Sequence, residues 1–185
     1  MNEKKKSEKI KKGYVYWITG LSGSGKTTLA NHLSNLFINS NIHTVTLDGD
    51  LLRNIIGGGY TRDERLEQAR KYAKFCKLFS EQGINVVAAF GALFNEIHLW
   101  NRKNIKNYIE VFLDVPSEEL LKRNKKKLYS NFYKGKTRNI VGLDIKAEFP
   151  KKPDIILNNY GGKTIQDCVN DIKVFHKNLE KKKNE

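Results

Sequence analysis

Tyr14-Val15-Tyr16-Trp17-Ile18-Thr19, followed at once by Gly20-Leu21-Ser22-Gly23-Ser24-Gly25-Lys26-Thr27, is the stretch that decides the fold. The first six residues are apolar, aromatic or β-branched, as a strand buried on both faces is, and they stop at a glycine. The next eight satisfy G-x-x-x-x-G-K-[ST]. The glycines let the backbone curl so that its N–H groups point inward, and the start of a helix adds positive potential. Lys26 then reaches the outer phosphates, and the Thr27 hydroxyl can ligate Mg2+. A bound nucleoside triphosphate is implied, with residues 20–27 and Thr28 as the candidate contacts.

Working outward, Leu29, Leu33, Leu36 and Phe37 fall at helical spacing over residues 27–37. A second strand is predicted over 44–47. It ends in Asp48-Gly49-Asp50, which places two carboxylates at the carboxyl edge of a parallel sheet, where open α/β folds bind ligands. Gly57-Gly58-Gly59 breaks the chain, and residues 62–82 read as a long helix stopped at Gly83. Strands over 84–90 and 108–114 flank a helix over 96–106, and Ser117-Glu118-Glu119 opens another toward Arg123. Residues 125–149 are basic, glycine-containing and weakly periodic, which reads as a mobile lid spanning about 122–149. A short strand over 155–157 and a helix over 164–179 close the chain. Strands alternating with helices predict a three-layer α/β/α sandwich on a parallel sheet.

The 185 residues suit one domain, placed at 13–179 between basic tails at 1–12 and 180–185. Hydrophobic residues at 39% and charged residues at 29% describe a folded protein and exclude a disordered or fibrous one. Neither a membrane-length apolar run nor a secretory leader is visible, so a cytoplasmic protein is expected. Cys76 and Cys168 share no metal or disulfide pattern, and the four histidines share no ligand spacing. The net charge of +14 makes polyanions conceivable partners, but much of it lies in the tails without interleaved aromatic residues for base stacking. Nucleic acid is therefore not the expected partner.

A phosphate loop alone does not distinguish kinases from GTPases or motors. The second half lacks an N/T-K-x-D guanine-reading sequence, and no apolar run ends in Asp-Glu. A small-molecule kinase remains, in which Asp48 and Asp50 organise the Mg2+ water shell or take the acceptor hydroxyl's proton. Which carboxylate does which stays open at this stage.

These residues resemble the adenylylsulfate kinases, which pass the ATP γ-phosphate to the ribose 3'-hydroxyl of adenylyl sulfate. Residues 20–27 are similar to that family's G-L-S-G-[SA]-G-K-[ST], and Leu47-Asp48-Gly49-Asp50 with Arg53 to its L-D-G-D-N-x-R. Gly59-Tyr60-Thr61 with Arg65 and Arg70, IEVFLDVP at 109–116, and Arg123, Lys126, Leu128-Tyr129, Gly142, Asp144 and Glu148 continue the likeness. The resemblance implies that Arg53 and Arg65 hold the acceptor's anionic bridge and that Tyr60 stacks on its base. It implies that Arg123 and Lys126 close over the transferring phosphate and that the protein is a homodimer, while Lys125 and Lys127 read, from charge pattern alone, as surface charge.

The departures fall on the acceptor side. The family's F-I-S-P-[YFH]-R reads Phe90-Gly91-Ala92-Leu93-Phe94-Asn95 here, without the serine, proline and arginine. Glu64 and Gln68 stand for Asp and Asn, and Ile140 for the aromatic residue of the lid. Losing one face of an aromatic sandwich removes about 1 to 3 kcal/mol of stacking. On these grounds the chain resembles the branch that phosphorylates cytidine diphosphoramidate in capsule phosphoramidate pathways. An adenylylsulfate kinase proper, a kinase of a non-nucleotide alcohol and a non-catalytic nucleotide- or RNA-binding module are the competing expectations.

Overall fold

Every residue of β1, Val15–Thr19, is buried, and alternate side chains leave it for opposite layers. Tyr16 and Ile18 pack with Leu29, Leu33 and Ile172 on one face, while Trp17 packs with Tyr72, Ala73 and Ile97 on the other. A strand with two apolar faces is stable only when helices cover both, which dictates the three layers. The computed structural model describes residues 11–184, the side chains of Lys126 and Asn184 excepted. The predicted N-terminal tail therefore lies outside the described residues up to Ile10.

Among the described residues, β1 is joined by β2 (Thr44–Asp48), β3 (Asn85–Ala89), β4 (Tyr108–Leu113) and β5 (Ile155–Leu157). They form one parallel sheet in the order β2-β3-β1-β4-β5. Helices α1 (Lys26–Asn39) and α7 (Ile165–Asn184) cover one face, and α3 (Arg62–Glu81) and α4 (Asn95–Asn104) the other. In this register Asp48 and Ile18 both pair with Ala89, so three strands end level and send their following loops to one edge. Among the described residues, no helix is long and apolar enough to cross a membrane.

Two features differ from the sequence reading. Residues 49–56 form a helix, α2 (Gly49–Ile56), which begins because Asp48 caps it: Asp48 Oδ1 accepts from the backbone N–H of Asp50 (2.9 Å) and Leu51 (3.2 Å). At the other end, α7 runs through the predicted basic tail to Asn184. Glu180 accepts the Tyr14 hydroxyl's hydrogen bond, and Lys183 Nζ donates to Tyr14 Oη (2.6 Å) and Asn107 Oδ1 (3.1 Å). Lysines in a last helical turn also suit the helix dipole. The domain therefore extends past residue 179.

Candidate active site

Gly25 ends the phosphate loop at φ +103°, a left-handed conformation that glycine adopts without strain. No side chain caps α1 there, which leaves its first N–H groups available to an anion. Lys26 Nζ donates to the Leu21 carbonyl (2.8 Å), folded back over its own loop. Burial lowers its pKa to about 8, Asp50 and Asp48 offset part of that shift, and Lys125 adds to it by repulsion.

Thr27 and Asp48 meet across the sheet edge, with Thr27 Oγ1 donating to Asp48 Oδ2 (2.7 Å). Both oxygens of Asp48 are thus engaged, one by Thr27 and one by the start of α2. These hard oxygen donors fit Mg2+. Among the described residues no group of three or more His, Cys, Asp or Glu is arranged for a metal, so an ion here would complete its shell with water and phosphate oxygens. Asp50, in the first turn of α2, lies 3.3 Å from the Arg53 guanidinium.

A chamber of about 680 Å³ joins this donor side to an acceptor wall. Gly20, Leu21, Ser22, Gly23, Gly25, Lys26, Thr27, Asp48 and Asp50 line one part, and Arg53, Tyr60, Arg65, Gln68, Phe90, Gly91, Ala92 and Ile140 line much of the remainder. Ser24 is instead buried behind the loop, and Thr28 points out from α1. Phe90 forms a floor continuous with the core, stacked on Tyr72 and edge-on to Trp17, each at 4.7 Å between centroids. The guanidinium carbons of Arg53 and Arg65 lie 4.7 and 5.2 Å from the Tyr60 ring centroid. Arg65 also spans two segments, donating to the carbonyls of Tyr60 (2.8 Å) and Asn139 (2.9 Å). It thereby holds the acceptor loop to the lid and brings Tyr60 and Ile140 to the same end of the chamber.

Gln68 lines the chamber, but its amide is spent on protein partners. Its oxygen accepts from Arg53 Nε (3.1 Å) and its nitrogen donates to the Gly59 carbonyl (3.0 Å). It orients Arg53 and the Gly57-Gly58-Gly59 turn. Glu64 completes a capping box with Thr61 at the start of α3.

The lid is more structured than its sequence suggests. After α5 (Ser117–Arg123) come a 3-10 turn (Lys125–Lys127) and a short helix α6 (Leu128–Tyr133). Val115, Leu120 and Tyr129 form a small apolar cluster with Leu21 and Leu143, so the lid packs on the rim of the phosphate loop. At its far end Glu148 accepts from the N–H of Asn95 (2.9 Å) and from Arg62 (3.0 Å).

Arg123 corrects an expectation: it does not line the chamber. Its guanidinium lies on the outer side of the phosphate loop, directed at the carbonyls of Gly23 (3.4 Å), Ser24 (3.5 Å) and Asn159 and paired with Glu119 (3.0 Å). The chain turns away from α5 at Asn124, which is left-handed, so Lys125 and not Arg123 faces the cavity. Lys125, read from sequence as surface charge, is thus a chamber residue. The Lys126 side chain is outside the described ones. Sequence reasoning read Tyr129 only as part of the lid motif, with no contact to the phosphate loop, and missed Asn159 and Asn54. Asn54 has a legible signal, one residue after Arg53 on a capped helix; the other two act through contacts more than 100 residues apart in sequence.

A donor loop and an acceptor wall sharing one chamber beneath a lid is the architecture of a P-loop kinase, a phosphotransferase that uses ATP. A family model described as adenylylsulphate kinase matches residues 12–158. The chain belongs to that family. A Campylobacter jejuni protein named cytidine diphosphoramidate kinase is 40% identical over 147 residues, covering 79% of this chain and 86% of that protein. An adenylyl-sulfate kinase of Clostridium kluyveri is 36% identical over 166 residues, 88% of this chain and 83% of its own length. The structure of the Mycobacterium tuberculosis APS kinase in complex with AMPPNP and APS matches with a TM-score of 0.83 at 27% identity, over 90% of this chain and 98% of that one.

Proposed function

We propose that this kinase phosphorylates the ribose 3'-hydroxyl of a pyrimidine nucleotide, with cytidine diphosphoramidate as its acceptor. The observation that carries this reading is the base end of the chamber, where Tyr60 is accompanied by Ile140, an aliphatic residue that is 4% exposed. A single aromatic face suits a small base, whereas a purine loses a stacking partner worth about 1 to 3 kcal/mol. The name of the Campylobacter jejuni relative adds support.

Lys26 and the loop N–H groups bind the triphosphate, and Arg53 together with Arg65 provides positive charge for the acceptor's anionic bridge. Bound Mg2+, held through Thr27 and Asp48, supplies neutralisation of phosphate charge. Asp50, on the chamber wall in the first turn of α2, takes the proton from the attacking hydroxyl, and Arg53, 3.3 Å away, orients its carboxylate. Lys125, on the lid side, stabilises charge on the transferring phosphoryl oxygens.

The test is an ADP-release assay with ATP and Mg2+ over cytidine diphosphoramidate, adenylyl sulfate, CDP and CMP. Cytidine diphosphoramidate is expected to give the highest kcat/KM, with Lys26→Ala and Asp48→Asn inactive on every acceptor. Preference for adenylyl sulfate would establish the purine reading instead, and near-normal rates in either variant would refute the assigned roles.

A further inference from the structure

The phosphate loop is clamped from outside. A peptide unit is planar, and in a trans unit the carbonyl of one residue points opposite to the N–H of the next. No cis peptide is present among the described residues. An anion-binding loop that must turn N–H groups inward therefore turns carbonyls outward, and those carbonyls need donors. Here each carbonyl from Leu21 to Gly25 has one. Leu21 is taken by Lys26 Nζ (2.8 Å) and Gly25 by the N–H of Leu29 (2.9 Å), both from within the loop and its helix. The three between them are taken by groups from elsewhere: Ser22 by the Tyr129 hydroxyl (2.8 Å), Gly23 by Arg123 (3.4 Å), and Ser24 by Asn159 Nδ2 (2.8 Å) and Arg123 (3.5 Å).

We infer that Tyr129 and Asn159, joined by Arg123, are positioning residues that preorganise the loop by holding its outward carbonyls and so aiming the N–H groups of Gly23 and Gly25 at the phosphates. Tyr129 fixes the Ser22–Gly23 peptide plane and Asn159 the Ser24–Gly25 plane. Arg123 also donates to the Asn159 carbonyl, tying the two clamps together. The Tyr129 ring is anchored beside Val115 and Leu120, and burial raises its hydroxyl pKa, which keeps it a donor. Asn159 packs so closely under the loop that a methyl group at Gly25 would stand 2.5 Å from its amide nitrogen. This role is independent of which acceptor the enzyme uses.

Calorimetry with inorganic tripolyphosphate, which carries no nucleoside, and with ATP separates this role from contact with the base. Tyr129→Phe keeps the ring in place and removes only the hydroxyl, and Asn159→Ala removes the second donor. Each is expected to weaken tripolyphosphate and ATP by the same factor, about three- to tenfold for one hydrogen bond, and to raise KM for ATP with the acceptor KM unchanged. Unaltered tripolyphosphate affinity in the two variants would overturn the inference, including the case where ATP alone weakens, which would put these side chains on the nucleoside. Should Asn159→Ala fail to fold by thermal melt, the isosteric Tyr129→Phe decides.

Discussion

Raising the pH from 7 to 9 should weaken ATP binding about tenfold through the titration of Lys26. Burial lowers this lysine's pKa from 10.5 to about 8, Asp50 and Asp48 offset part of the shift, and Lys125 adds to it. A bound triphosphate sets negative charge against the ammonium and returns its pKa toward the ordinary value, so binding takes up a proton wherever the free protein has lost one. With a pKa of about 8, the charged fraction of the free protein is about nine-tenths at pH 7, one-half at pH 8 and one-eleventh at pH 9. The apparent Kd, divided by that fraction, rises by about 1.1-, 2- and 11-fold. The terminal phosphate, whose second pKa is about 6, is already ionised over this range and does not mask the effect. Calorimetry in buffers of different ionisation enthalpy reads both affinity and proton uptake, and Lys26→Arg, whose guanidinium stays charged, should flatten the slope. An affinity constant within twofold to pH 9 with no proton uptake there would refute the reasoning. The sign for stability is opposite: the folded pKa lies below the unfolded one, so the penalty for a buried ammonium is full below about pH 8 and fades as the pH approaches 10.5.

Further expectations concern the scaffold. Glu110, 1% exposed on β4, accepts from Arg102 (2.9 Å) and the Tyr108 hydroxyl (3.0 Å), with His98 Nδ1 2.6 Å from its carboxylate. Glu110→Ala, by stranding these donors, should cost about 3 kcal/mol in urea unfolding, and an unchanged midpoint would show that the cluster is energetically idle. Ending the chain after residue 179 removes the partners of Tyr14 and Asn107, and should lower stability by about 1 to 2 kcal/mol, read as a drop of several degrees in Tm. An unmoved Tm would mean that the last turn of α7 docks without consequence.

Much of the donor side was legible because its chemistry is local. Residues 14–27 carry the strand, the turn and the helix start in one run, and Asp48 follows a predicted strand at the same sheet edge. Helix α2 was missed because none of its residues is buried, so hydrophobic periodicity carried no weight. The available signal was Asp48 as a cap with Gly57 as the stop, and Asp48 had been read only as chemistry. The lysine run at 181–183 looked like a solvated tail, though the partners of α7's end are Tyr14 and Asn107, far away in sequence. Arg123 was assigned to the phosphate because the motif gives spacing but not the direction in which a helix ends. A six-residue helix such as α6 is too short to nucleate by itself and depends on its contact with Leu21.

Gly58 adopts φ +130°, and a methyl group placed there would fall on the Gln68 amide. That glutamine is one methylene longer than asparagine, and the extra reach delivers its amide to both Arg53 and Gly59. The two positions are therefore locked together in any evolutionary or engineered path. Shortening residue 68 would clear the space beside the turn, but at φ +130° a side chain at position 58 stays strained, so retailoring this wall for a different nucleotide must leave that glycine in place.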